Sequence, residues 1–127
     1  MPDNARAQRF ADALQKFESS GDTADIVEEF ASGAELTRPE ADRGDSETDA
    51  STFWEAYRAQ FDGIETTFSA VDETGDRGVL EWSSTGSLAS GRDITYRGVS
   101  LLTFDGDDKV ARFATYYDTA AFIEPTA

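Results

Sequence analysis

The sequence predicts an α+β domain, with helices first and a run of hairpin-linked strands after them, so that the helices cover one face of an antiparallel sheet. Two observations carry the prediction. Apolar residues recur at helical spacing early in the chain, as Phe10, Ala13, Leu14 and Phe17 and again as Phe53, Tyr57, Phe61 and Ile64. From Ile64 onward the apolar period drops to two, and turns rich in Gly and Asp separate the segments.

Taken in order, Asn4 is placed to cap a helix over Ala5 to Ser19, and Gly21 follows as its stop. Asp22 caps a short second helix that carries Ile26, Val27 and Phe30 on one face and closes at Gly33. A brief strand covers Ala34 to Thr37. Arg38 to Ser51 shows no apolar periodicity, holds Pro39 and Gly44, and carries Glu40, Asp42, Asp45, Glu47 and Asp49. A connection of that length is either disordered or functional, here a lid over a pocket mouth. Thr52 and Glu55 have capping-box spacing and open the next helix, which Gly63 ends. Ile64, Thr66, Phe68 and Ala70 then face one way along a strand, with Asp72 to Gly78 as its turn. Three more strands follow: Val79 to Gly86, Gly91 to Phe104, and Lys109 to Asp118. Ala89 to Asp93 and Asp105 to Asp108 are the turns between them, and Asp118 caps a final short helix over Ala120 to Ile123.

With 127 residues and 39% hydrophobic content the chain matches one domain, residues 1–127, with one continuous core. It contains no cysteine and no histidine. Thiolate nucleophiles, disulfides and the commonest metal ligand are excluded, and any acid or base is a carboxylate, Tyr, Lys or a chain terminus. The formal charge of -15 repels phosphate backbones and anionic lipid, which argues against nucleic-acid and membrane partners. Asp outnumbers Glu, and Lys16 and Lys109 are the only lysines. That bias suits a surface kept hydrated in high salt and equally an acidic protein from moderate salt. The first residues lack the basic start and apolar core of a signal peptide, and no apolar run approaches the ~18 residues of a membrane span, so a cytoplasmic protein is expected. No metal or cofactor is expected. Asp105 to Asp108 lacks the alternating oxygen ligands of a calcium loop, and Gly86, Gly91 and Gly98 do not open a helix after a strand as a phosphate loop does.

The three strands Val79-Leu-Glu-Trp-Ser-Ser-Thr-Gly86, Gly91-Arg-Asp-Ile-Thr-Tyr-Arg-Gly-Val-Ser-Leu-Leu-Thr-Phe104 and Lys109-Val-Ala-Arg-Phe-Ala-Thr-Tyr-Tyr-Asp118 resemble the SnoaL-like branch of the nuclear transport factor two-like superfamily. The local pattern covers Val79 to Ile123, and element order covers the rest. The resemblance implies a cone-shaped α+β barrel of cystatin-like architecture, in which a curved, mainly antiparallel sheet wraps around N-terminal helices and encloses one deep pocket. Ketosteroid isomerase, scytalone dehydratase, limonene epoxide hydrolase and the polyketide cyclases belong to this superfamily. Laying the Tyr-Tyr-Asp end on the similar end of the epoxide hydrolases puts Thr115 where their water-activating carboxylate lies. Counting back from Gly91, their arginine and second aspartate fall on Glu81 and Ser83, so their hydrolytic triad is missing.

The same alignment, carried through strand parity, implies that Glu81, Ser83, Phe113, Thr115 and Tyr117 point into the pocket, joined there by Phe17, Tyr57 and Phe61. Glu81 is the catalytic candidate. An apolar pocket disfavours a charged carboxylate and moves its pKa toward the range useful for proton transfer, and Tyr117 or Tyr57 would hold an oxyanion. Alternatively Glu81 pairs with Arg112 or Arg97 across the sheet and does no chemistry. Trp82, Ala114 and Tyr116 then face outward as the interface of a homodimer, and Trp54 flanks the pocket mouth.

Three functions remain open. The first is a cofactor-free isomerase, cyclase or dehydratase-like enzyme acting on a small apolar carbonyl compound. The second is a non-catalytic module binding a small hydrophobic molecule. The third is a dimeric scaffold whose pocket is filled by Phe10, Phe17, Phe61, Phe68 and Phe113.

Overall fold

The computed structural model describes residues 4–38 and 49–118. Most of the acidic connection and the expected helix over Ala120 to Ile123 lie outside the described residues.

α1 (Ala5–Ser20) buries Ala7, Phe10, Ala11, Leu14, Phe17 and Glu18 along one stripe. Gly21, at φ 75°, ends it by turning its N–H back to Phe17 O, the left-handed stop that a side chain would resist. Asn4 makes no cap hydrogen bond, and its Nδ2 donates instead to Val71 O at 2.8 Å. α2 (Ala24–Glu28) is shorter than expected. Asp22 Oδ1 still accepts the Ala24 N–H at 2.9 Å, but Phe30 leaves the helix and starts β1 (Phe30–Thr37). Gly33, expected as a helix stop, lies within β1 at φ 76°, where the pairing with the last strand shifts register.

α3 (Ala50–Arg58) is capped by Asp49, three residues before the expected cap at Thr52. The Asp49 carboxylate accepts the N–H groups of Ser51 and Thr52 at 3.0 and 3.3 Å, satisfying donors at the helix start that have no partner within the helix. The helix stops at Arg58, and Phe61 belongs to β2 (Phe61–Thr74). β2 turns through Gly75 and Asp76 into β3 (Arg77–Leu88), which is followed by β4 (Asp93–Phe104) and β5 (Val110–Tyr117).

The strands form one curved sheet in the order β1-β5-β4-β3-β2, antiparallel throughout except that β1 runs parallel to β5. The sheet stays open, with β1 and β2 as its edges, so the expected barrel is a partial one. α1 and α3 fill its concave side with an aromatic core. The Phe113 ring sits within 5.3 to 6.1 Å of the rings of Phe10, Phe30, Phe53 and Trp54. Arg6 pins the start of α1 to β2 through Glu73 at 2.6 Å, and Arg9 holds Glu29, at the entry to β1, at 2.8 Å.

Register decides which residues reach the concave side. Trp82, Gly98 and Tyr117 lie directly opposite one another across β3, β4 and β5, and so do Glu81, Val99 and Tyr116 in the next row. Cross-strand partners share a face. Trp82 therefore goes in with Tyr117, while Glu81 goes out with Tyr116.

Candidate functional site

Between α1, α3 and the concave face of the sheet lies a cavity of about 30 Å³. Its roof is Phe53, Trp54 and Tyr57 from α3, and its wall on the helix side is Leu14 and Glu18 from α1. Its floor carries Thr66 of β2, Trp82 and Ser84 of β3, Ser100 of β4, and Phe113, Thr115 and Tyr117 of β5. The space accommodates about two water molecules at ~10–15 Å³ of centre volume each.

The floor is more polar than its burial suggests, and its hydroxyls are hydrogen-bonded in pairs. Trp82 Nε1 donates to Ser100 Oγ at 3.0 Å, and Ser100 Oγ shares a proton with Thr115 Oγ1 at 2.8 Å. On the opposite side Thr66 Oγ1 lies 2.6 Å from Ser84 Oγ and donates to Glu18 Oε2 at 2.6 Å. The Thr66 backbone N–H donates to the other oxygen of Glu18 at 2.9 Å. Tyr57 and Tyr96 share a hydrogen bond between their hydroxyls above this floor.

Glu18 is the buried carboxylate of the site, at 4% exposure. Burial raises its pKa; the hydrogen bonds from Thr66 and the charge of Arg58 oppose that shift, and Glu65 adds to it. Burial also pushes the Tyr57 phenol well above its usual range, with Tyr96, Tyr117 and Glu18 acting in the same direction. Tyr57 therefore keeps its proton at neutral pH and, when Tyr96 donates within the pair, can offer it as a hydrogen-bond donor. Trp54 Nε1 is a second donor, buried and without an acceptor among the described residues. An unpaired buried N–H costs about 1–3 kcal/mol, a cost that a ligand oxygen would remove. Carboxyl and donors together form a set able to shift a proton beside a carbonyl and hold the oxygen that gains charge.

Among the expected pocket residues, Tyr57, Phe113, Thr115 and Tyr117 line the cavity. Phe17 and Phe61 are buried in the core behind it. The placement of Glu81 and Ser83 is corrected: both are exposed on the convex face, away from the cavity, and Glu81 has no ion pair among the described residues. Counting inward from Gly91 crosses the β3–β4 turn, and a one-residue slip there moves every side chain of the strand to the other face. Trp82, expected outside, is inside, its ring 5.4 Å from Tyr96 and 5.9 Å from Tyr117. Tyr116 is exposed on the convex face, and Ala114 beside it is buried. Trp54 forms part of the roof rather than a rim.

Glu18 was missed, although the sequence carries its signal. It stands four residues after Leu14 and eight after Phe10, a core position of the α1 stripe occupied by a charged residue. Among the described residues no group of three or more His, Cys, Asp or Glu side chains is arranged to hold a metal ion. No described helix is long and apolar enough to cross a membrane.

A family model for the SnoaL-like domain matches residues 7–113. The chain belongs to the SnoaL-like domain family. Solved structures share the fold at low identity. A nuclear transport factor two-like protein from Anabaena variabilis superposes with a TM-score of 0.82 at 15% identity, covering 94% of this chain and 93% of that one. A putative SnoaL-like polyketide cyclase from Jannaschia sp. gives 0.75 at 18% identity, covering 98% and 97%. TerC, co-crystallized with polyporic acid, gives 0.74 at 19% identity, covering 96% and 95%. Comparison with curated proteins returns no match. AclR, a putative hydroxylase from Streptomyces galilaeus, shares the fold with a TM-score of 0.73 at 16% identity, covering 93% of this chain and 76% of that one.

Proposed function

We propose that this SnoaL-like protein is a cofactor-free enzyme of isomerase, cyclase or dehydratase type acting on a small apolar carbonyl compound. Glu18 takes the place in the reaction that the sequence suggested for Glu81. Its carboxylate removes a proton from the carbon beside the carbonyl, and the C–H electrons move into an enolate. Tyr57 and Trp54 donate hydrogen bonds to the enolate oxygen, and the Glu18 proton returns to a carbon or to a leaving oxygen. The observation that carries this reading is one buried carboxylate facing a cavity that also holds two buried donors. The aromatic roof on α3 has to shift to admit a molecule larger than water.

The test follows deuterium uptake from D₂O beside the carbonyl of cyclohexanone and 2-tetralone by NMR. Wild type accelerates uptake, and Glu18→Gln loses about a hundredfold or more of that acceleration while remaining folded. Equal rates for the two proteins would sink the proposal.

The 30 Å³ volume favours a second reading, in which the protein binds a hydrophobic molecule or serves as a scaffold without turnover. A calorimetric titration with 2-tetralone that shows binding, together with no acceleration of exchange, would select it.

We also propose a homodimer through the convex face. Val79, Leu101 and Tyr116 are 38%, 38% and 49% exposed there. Arg77, Arg97 and Arg112 share that face with Glu35, Glu65, Asp72, Glu81 and Asp93, a balance of three cations to five carboxylates that is less acidic than the 11 to 26 of the whole chain. Light scattering on a gel-filtration column should report twice the 13.8 kDa chain mass at micromolar concentration, and a monomer would refute it.

A further inference from the structure

Glu18 borders two spaces. One is the cavity beneath α3; the other is a groove of about 320 Å³ between the end of α1 and β2, walled by Gln15, Ser19, Ile64 and Thr67 among others. β2 is an edge strand, and at Thr66 its free backbone groups are taken by α1: Gln15 Nε2 donates to Thr66 O at 3.0 Å, and the Thr66 N–H donates to Glu18. That clamp fixes the Thr66 hydroxyl between the Glu18 carboxylate and the Ser84 hydroxyl, 2.6 Å from each. Ser84 is 2% exposed, lines the cavity and has Thr66 as its only side-chain partner among the described residues, which leaves its other bonding direction toward the cavity.

We infer that Glu18, Thr66 and Ser84 form a proton wire from the α1–β2 groove to the cavity, with the Ser84 hydroxyl as the terminal donor to the ligand. A hydroxyl carries one proton, so the chain has two ordered arrangements. With Glu18 ionised, Ser84 donates to Thr66 and Thr66 donates to Glu18, and Ser84 offers the cavity only lone pairs. With Glu18 protonated, Glu18 donates to Thr66, Thr66 donates to Ser84, and the Ser84 proton points to the ligand. Transfer moves one proton from Ser84 to the ligand, one from Thr66 to Ser84 and one from Glu18 to Thr66. Three O–H bonds break, two new ones form within the chain, and the third new bond holds the proton on the ligand. Glu18 is left ionised, ready to take the next proton from the carbon beside the carbonyl or from the groove side.

The wire rests on the reading of Glu18 as the acid and base of the site. Its test titrates the Glu18 carboxyl by ¹³C NMR in wild type, Ser84→Ala, Thr66→Val and Thr66→Ser, and follows 2-tetralone exchange in the same proteins. Arg58, Glu65 and Tyr57 also face Glu18 and are common to all four, so differences in midpoint report the chain. Removing the Ser84 donor, which polarises the Thr66 hydroxyl toward the carboxylate, should raise the midpoint by about half a pH unit; Thr66→Val should raise it further, and Thr66→Ser should restore it. Exchange should fall at least about tenfold in Ser84→Ala and Thr66→Val and recover in Thr66→Ser. A Ser84→Ala midpoint equal to wild type overturns the wire. Wild-type exchange by Ser84→Ala beside an inactive Glu18→Gln also overturns it, leaving direct transfer by Glu18. Wild-type exchange by Glu18→Gln removes the acid–base reading itself, and the wire with it.

Discussion

Phe113→Ala tests whether the cavity is small because aromatic rings fill it. Phe113 is 2% exposed and packs against four other rings at 5.3 to 6.1 Å. A buried aromatic side chain removes roughly 150–250 Å² from water, worth about 4–6 kcal/mol at 25 cal/mol per Å², and alanine retains a small part of that. Measured Phe→Ala losses in cores are about 3–5 kcal/mol, so about 4 kcal/mol is expected here. A domain of this size has about 5–15 kcal/mol in hand, so the variant stays folded at 25 °C with a Tm lower by roughly 15 °C. Urea unfolding followed by the fluorescence of neighbouring Trp54 measures the loss. Because the deleted ring lines the cavity, the variant gains a void joined to it, and benzene should raise the Tm of Phe113→Ala but not that of wild type. Phe113→Leu, which refills most of the space, should lose only about 1 kcal/mol. A loss below about 1.5 kcal/mol for the alanine variant, with no response to benzene, would refute the packing described.

Three further outcomes follow from the same contacts. Glu18 has a folded-state pKa above its unfolded value of about 4.3, so the native state holds the extra proton between the two values and loses stability as pH rises through the folded pKa. Glu18→Gln lacks that cost, so its advantage in urea unfolding should be largest near neutral pH and vanish below about pH 4; an advantage that grows toward acid would contradict it. Gly98→Ala should cost about 1–3 kcal/mol in the same assay, because its Cβ would meet Tyr116 O at 2.3 Å and a Trp82 ring carbon at 2.7 Å, and a neutral result would mean that β4 and β5 are not packed as described. Asp49→Ala removes the cap on two N–H groups of α3 and should cost about 1 kcal/mol by thermal unfolding, while Asp49→Ser should retain most of it.

α1 was legible because its stripe is long and its stop is a glycine, and the β hairpins were legible because alternation and turn residues agree. Phe30 and Phe61 were assigned to helices and begin strands instead. Each lies three or four residues beyond a helical apolar position, and local spacing cannot tell a last helical turn from a first strand residue. What decides Phe30 is a distant partner, Val110, whose N–H bonds to Glu29 O at 2.7 Å. The faces of β3 follow from its alternation. Leu80 and Trp82 alternate with Arg77, Val79, Glu81 and Ser83, and the more apolar set belongs inside. Counting from the β3–β4 turn gives the opposite faces, because the register does not carry across it. Glu18 was passed over because a charged residue on a helix usually faces solvent, whereas here the edge strand supplies the donors that allow its burial.

The parallel pairing of β1 with β5 also sets an order of events in folding. β1 is made early, but its only sheet neighbour is the last described strand, with Phe30 opposite Val110 and Thr37 opposite Ala114. The β2–β3–β4 meander can assemble from contacts close in sequence, whereas β1 must wait across a long loop whose closure entropy is met late. During synthesis on the ribosome, Phe30, Ala34 and Leu36 therefore have no strand to pair with until β5 emerges, although Phe30 can already meet the rings of Phe10 and Trp54.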